Sequence, residues 1–266
     1  AAMEKSELIA KFARSDEDKL LFARVLDKMA AAGRRNIPAA TNFLTAREQT
    51  LIEPMLRAAG CADFHFFGGA EDAERAVCCF LPEYLDESYL TGEDSPIAAV
   101  RAAFRAQDAI SHRDLLGSLM GSGIKRETVG DLYVGEGRCD FLVTREILPY
   151  VLQNLTSAGR AQLSLSEIGF DEIVVPPVRV QEKRESVSAL RLDSIVAAGC
   201  NLSRSSAAEL IRRGAVTLEH LPCEKPDKAV APGSVISIRG QGRLKLASVD
   251  GTTRKGRTAV TILKYL

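Results

Sequence analysis

Apolar residues recur along this chain in several rhythms, and each predicts a different kind of element. Over residues 15–60 they fall three and four apart. Ser15 and Asp18 can cap a helix that carries Leu20, Leu21, Val25, Leu26 and Met29, with Gly33 just beyond it. Thr45 and Glu48 repeat the device for a helix holding Leu51, Ile52, Met55 and Leu56, which Gly60 ends and Pro54 kinks or shortens. Residues 1–61 are therefore expected to form a small helical domain without catalytic spacing.

From residue 62 the rhythm changes. Arg75–Leu81 reads as a buried strand, Pro96 as the opening of a helix through Ile97, Val100, Arg101, Phe104 and Arg105, and Arg113–Leu119 as a short helix. Val129–Val134 and Arg138–Thr144 predict a hairpin across Gly135-Glu136-Gly137, followed by a helix near Arg145–Ser157 and a strand near Ala161–Leu165. The order β-α-α-β-β-α-β over residues 62–175 resembles a split βαβ, or RNA-recognition-motif, topology whose sheet offers RNA a surface. Its third strand, Arg138-Cys139-Asp140-Phe141, lacks the glycine and second ring of that motif. Tyr133 and Phe141 are the aromatics that could stack on bases, although single aromatics on strands usually pack in a core.

Val174-Val175-Pro176-Pro177 breaks the pattern, and residues 176–188, with Glu182-Lys183-Arg184-Glu185, are expected to be a solvated linker. Residues 189–266 then open a last domain. Ser203 can cap, and Gly214 end, a helix whose Ala207, Leu210 and Ile211 share one face while Ser205, Glu209, Arg212 and Arg213 point away and Arg204 lies at the margin. Ala215–Leu218, Val235–Ile238 and Gly240–Leu246 are expected strands, Thr253–Arg257 a basic turn, and the alternation of Val260 and Ile262 a closing strand. The fold class is α+β in three modules: helical, split βαβ, and helices with a small sheet.

The succession Arg191-Leu192-Asp193, then Ser203–Val216, then Pro226 to Ile238 with Pro232-Gly233, resembles the small RNA-binding domain named after ribosomal small-subunit protein S-four. It departs from that domain at two places: Leu218-Glu219-His220 stands where Val-Asn-Gly is usual, and Ser234 replaces an Asp. Charge agrees with the resemblance. The formal net charge is zero, yet residues 189–266 hold 13 Lys and Arg against 6 Asp and Glu, while the rest hold 22 against 29. A polyanion would be drawn to the last domain and repelled elsewhere. Its expected RNA contacts are Arg191, Ser203, Arg204, Ser205, Arg212 and Arg213, helped by Arg243, Lys245, Arg254, Lys255 and Arg257.

Catalytic readings are poorer. His112-Arg113-Asp114 would suit a kinase only with an Asn five residues after the Asp, where Leu119 stands, so Ser111 and Asp114 read as a capping box. Gly117, Gly121 and Gly123 before Lys125-Arg126 lack the order of a phosphate loop, and Gly68-Gly69 lacks that of a dinucleotide fingerprint. A second RNA surface is nonetheless expected from His112, Arg113, Lys125 and Arg126. Six cysteines without a Cys-x-x-Cys pair, three histidines, and the absence of a signal peptide or long apolar run point to a reduced cytoplasmic protein without zinc, cofactor or membrane insertion. Ala1-Ala2 ahead of Met3 reads as a cloning remnant.

Taken with Phe66-Phe67-Gly68-Gly69-Ala70-Glu71, Phe80-Leu81-Pro82 and His112–Arg126, the chain resembles the bacterial YlmH family nearly throughout. That resemblance implies a non-catalytic binder of structured RNA with a link to cell division; other carriers of the C-terminal domain engage large ribosomal subunits, so by analogy rRNA or tRNA on the large subunit is the expected target and ribosome rescue or quality control the expected role. Two alternatives remain: an RNA-modifying enzyme of the pseudouridine synthase type, for which Asp114 is the candidate, and a cell-division adaptor whose N-terminal domain binds a protein partner.

Overall fold

Local capping sets the first helices. In a computed structural model, which describes residues 3–266 and leaves Ala1-Ala2 outside the described residues, α1 spans Lys5–Phe12 and α2 spans Asp16–Arg35. The Ser15 hydroxyl accepts from the Asp18 amide at 3.1 Å. Helix α2 runs past Gly33, the expected end, and stops at Asn36, whose left-handed φ of 51° breaks the backbone ladder. Strand β1 (Ala39–Ala40) leads to α3 (Ala46–Ala58), which is neither interrupted nor shortened at Pro54, because Leu51, Ile52, Met55 and Leu56 anchor it on both sides.

Contacts divide the chain into two compact units, one ending at Pro176 and the other running Pro177–Leu266. In the first, β2 (His65–Phe67) and β3 (Val77–Phe80) join β1 in a sheet of order β1-β3-β2, with Ala39 opposite Phe80. The helical segment and the strands of residues 65–80 thus share one sheet. Arg75 fastens the arrangement: its guanidinium donates to the Val129 and Phe43 carbonyls at 3.1 and 3.3 Å.

The expected helix at Pro96 is instead a strand, β4 (Ile97–Ala103). After it come α4 (His112–Gly121), β5 (Val129–Gly135), β6 (Arg138–Thr144), α5 (Leu148–Asn154), the two-residue pair β7 (Ser157–Ala158) and β8 (Ala161–Gln162), and β9 (Ser164–Ile168). The four-stranded antiparallel sheet has the order β5-β6-β4-β9, a split βαβ fold in which β4, not the 75–81 segment, is the first strand. Ala98, Val100 and Ala102 of β4 and Cys139, Phe141 and Val143 of β6 face Leu115 and Leu119 of α4 and Leu148 and Val151 of α5.

The opposite face of this sheet is closed as well. Ile97, Ala99 and Leu142 pack against Phe43, Val77, Cys79 and Leu90, with Phe170 and Ile173 along the margin. Gly130 permits the closure, since a Cβ there would lie 2.6 Å from the Phe43 ring. Phe141 is therefore fully buried on the helix side, and Tyr133 lies half-buried under the cover with its hydroxyl 3.4 Å from Asp131. Neither ring is presented for base stacking.

In the second unit β10 (Val180–Val187) replaces the expected solvated linker. It pairs with a later strand along its whole length, and Lys183 donates to Gly199 O and Asn201 Oδ1 at 3.0 and 2.8 Å, so its charge sits at a helix C-terminus where the dipole favours it. Helices α6 (Leu192–Cys200) and α7 (Arg204–Arg212) follow, then β11 (Val216–Leu218), β12 (Leu221–Pro222), β13 (Val235–Ile238), β14 (Gly242–Thr252) and β15 (Thr258–Tyr265). The sheet order is β10-β15-β14-β13-β11-β12. Leu192, Ile195, Ala207 and Ile211 of the helices are buried with Ile236, Leu244, Leu246, Val260 and Ile262 of the strands. The departure at Leu218-Glu219-His220 still makes the tight β11–β12 turn. Glu219 and His220 take φ of 49° and 64°, and Glu219 is tied to Val235 by its amide and its carboxylate, each at 2.9 Å.

Candidate nucleic-acid interface

The interface begins with a buried carboxylate. Asp193, in the first turn of α6, is 5% exposed, yet it accepts from Arg191 Nε and Nη2 at 3.2 and 3.0 Å and from Arg204 Nε and Nη2 at 3.3 Å each. One negative charge thus orients two guanidiniums, leaving a local surplus of one positive charge at the surface. Their planar forks suit phosphate oxygens on the sides that Asp193 does not occupy. Arg204 also donates to Ser188 Oγ at 3.3 Å, just past the end of β10.

Helix α7 starts beside this pair. Ser203 accepts from the Ser206 amide at 3.0 Å, and Ser203, Ser205 and Ser206 form an exposed cluster of hydroxyls. Ala207, Ala208 and Ile211 are buried, which turns Arg212 outward. At about 1.5 Å per residue, α7 separates Arg204 from Arg212 by about 12 Å. Arg213 is exposed, and Glu209 at 3.9 Å offsets little of its charge in water.

The β14–β15 hairpin carries the second group of cations. Its turn is closed by Thr253 N donating to Arg257 O at 2.7 Å and holds Arg254 and Lys255 in solvent. Arg257 folds back onto the end of β10, donating to the Ser186 carbonyl and, from Nε, to Ser186 Oγ at 3.2 Å. Ser186 and Ser188 stand two residues apart, about 7 Å along a strand. The end of β10 therefore links the Arg191–Asp193–Arg204 group to the hairpin.

Arg243 and Lys245 lie elsewhere. They alternate with the fully buried Leu244 and Leu246, which places them on the sheet face turned away from α6 and α7, where Arg243 lies 5.8 Å from the Tyr265 ring centre. In the first unit His112, Arg113 and Lys125 are exposed. Arg126 is not available in the same way: half-buried, it donates to Val129 O and Gly130 O at 2.6 and 3.3 Å, and burial depresses its pKa. Asp114 accepts from the Ser111 amide and hydroxyl at 2.8 and 2.7 Å, and these bonds hold its carboxyl below the usual range. Among the described residues no three His, Cys, Asp or Glu side chains converge as a metal ion would need, and no helix is long and apolar enough to cross a membrane.

Two family models match segments of the chain: the putative RNA-binding domain in YlmH over residues 104–172, and the S4 domain over residues 190–236. A relative from Bacillus subtilis (strain 168), the ribosome-associated protein quality control protein P2, is 35% identical over 226 residues, covering 83% of this chain and 85% of that protein. The chain belongs to the YlmH family. A solved structure, the cell division protein ylmH from Streptococcus pneumoniae, shares the fold of part of this family member with a TM-score of 0.50 at 19% identity, covering 60% of this chain and 96% of that one. The S4 match ends before β14, so the hairpin cations lie outside it. Sequence reasoning did not assign Asp193, Ser186 or Ser188 a part in the interface. The triplet Arg191-Leu192-Asp193 carried the signal for the first; nothing local marked the serines.

Proposed function

We propose that this protein binds structured rRNA or tRNA on the large ribosomal subunit, in the cytoplasm, without catalysing a reaction on it, and that it acts in ribosome quality control. The Arg191–Asp193–Arg204 group carries the reading. A buried acid that aims two guanidiniums at solvent, beside exposed Arg212 and Arg213, matches what phosphate recognition requires. Ser203, Ser205, Arg254, Lys255 and Arg257 extend that surface, and Arg243 and Lys245 serve a separate face. The name of the Bacillus subtilis relative and the two domain matches support the ribosomal assignment. The capping role of Asp114 supports the non-catalytic one, because its carboxylate is already engaged.

Sedimentation of the full chain with separated small subunits, large subunits and intact ribosomes, at two salt concentrations, tests the proposal. Selective pelleting with large subunits that weakens at higher salt, and is lost in Arg212→Glu/Arg213→Glu, is the expected result. Binding to no particle, or equal binding by the variant, overturns it.

A further inference from the structure

We propose that the first unit meets RNA through its helix side, on a surface bearing Arg113, Gly117, Lys125, Tyr150 and Arg160, and not through its sheet. The inference rests on the RNA-binding reading above and locates a second contact within it. An RNA-recognition motif presents its open sheet, with aromatics on the two central strands, to unstacked bases. Here both central strands are covered. Phe43, Val77, Cys79 and Leu90 lie over β4 and β6, and Arg101 spans the face to Asp140 at 2.7 and 2.8 Å while Val174 closes over the same carboxylate. Phe141 points the other way, into the helix-side core. A base cannot reach these strands without first removing the cover.

The helix side is open and differently built. Helix α4 buries Leu115 and Leu119 and leaves Arg113, Gly117 and Gly121 on its outer line, one turn apart. A Cβ at Gly117 would meet nothing within 4 Å, so intramolecular packing does not require a glycine in this helix interior, where it costs stability relative to alanine. Its bare backbone lets a sugar-phosphate chain approach closely. Cations flank the line: Arg113 at one end, Lys125 beyond the other, and exposed Arg160 in the β7–β8 turn, whose neighbour Gly159 lies against Asp114. Tyr150 is 47% exposed over the C-terminal end of α4, donating to Ser122 O at 2.8 Å, and leaves a ring face for a base. Asp114, the acid beside Gly159, is held by Ser111.

Binding of the full chain to ribosomal RNA stripped of protein, titrated with salt, is the test. Arg113→Glu/Arg160→Glu should weaken binding and lower the slope of log affinity against log salt by about one for each cation removed. Gly117→Ala should raise the melting temperature yet weaken binding, a combination that a purely structural role would not give. If both variants bind like wild type while Arg212→Glu/Arg213→Glu binds less, RNA binding stands and the helix-side surface falls. If the wild-type chain binds no RNA, the functional reading itself falls. Photo-crosslinking of the full chain to intact large ribosomal subunits is a second check: Tyr150 in the peptides crosslinked to RNA supports the surface, and crosslinks confined to β4 and β6, or from this surface to ribosomal protein alone, overturn it.

Discussion

Each unit buries an aspartate against arginine, and the two pairs do opposite things. In the first unit Asp140, 1% exposed, draws Arg101 across a sheet and takes the Val174 amide at 2.9 Å, so the guanidinium is spent inside the unit, with a further bond to Glu172 O at 2.7 Å. In the second, Asp193 is as buried but its partners are not: the side chains of Arg191 and Arg204 are 39% and 49% exposed. The same ion pair closes a surface in one unit and builds one in the other. What decides is where the arginine originates. Arg101 lies on a central strand under a cover, whereas Arg204 lies at a helix start with water on one side.

The comparison breaks most visibly at Asp140. Replacing it with alanine strands Arg101 and the Val174 amide, and removing one partner of a buried pair costs about 3–5 kcal/mol. Urea unfolding of the full chain, followed by circular dichroism, should show the loss in the first unit's transition. A midpoint unmoved by Asp140→Ala would mean the ion pair does not hold the cover.

Asp193→Asn should behave differently. Its arginines keep water, so the stability loss should be smaller, about 1–3 kcal/mol. The two cations remain but lose their aim, so affinity for ribosomal RNA should fall about tenfold, equivalent to about 1.4 kcal/mol, with an unchanged salt slope. A lowered slope would show that Asp193 sets the number of phosphate contacts instead of their geometry.

Titration sharpens the contrast within the first unit. For Asp140 burial opposes ionisation, but the Arg101 bonds and the Val174 amide more than offset it, and the folded pKa lies below the ordinary carboxylate value. Asp18, bonded to Arg47 and the Arg14 amide, is also depressed against its burial. Their stabilisation is present above the unfolded-state value and lost as pH falls through the lower folded ones. Asp131 is the reverse: burial raises its pKa despite bonds from the Glu74 and Arg75 amides, so its charge costs stability near neutrality and protonation relieves that cost. The first unit's melting temperature should therefore rise slightly on mild acidification and fall steeply below the carboxylate range. Asp131→Asn should remove the early rise alone, which melting curves across pH would show.

The elements that were readable from sequence are those that carry their own instructions. The caps at Ser15, Thr45, Ser111 and Ser203 are visible locally and form as read. Strand β4 was unreadable for a physical reason: Ile97-Ala98-Ala99-Val100-Arg101-Ala102-Ala103 is buried on both faces, so it has no alternation, and its alanines favour a helix until the sheet overrides them. Strand β10 hid behind Glu182-Lys183-Arg184-Glu185, because an edge strand tolerates charges and draws its order from pairing with β15, far along the chain. The interface shows the same division. Its helix was legible, but the link through Ser186 and Ser188 depends on the hairpin returning to β10.

The smallest effect concerns the turn that departs from the family pattern. Glu219 and His220 both adopt left-handed φ between β11 and β12, a region costly to residues with a Cβ, and Glu219 offsets its share by bonding to Val235. His220 has no such bond among the described residues, so His220→Gly should stabilise the second unit by about 1 kcal/mol. The turn is distant in sequence from the Arg191–Asp193–Arg204 group, and RNA affinity should stay unchanged. A gain in melting temperature without a change in RNA binding would mark the turn as strain in the scaffold. A loss of binding would make His220 part of the interface and extend it along β11 and β12.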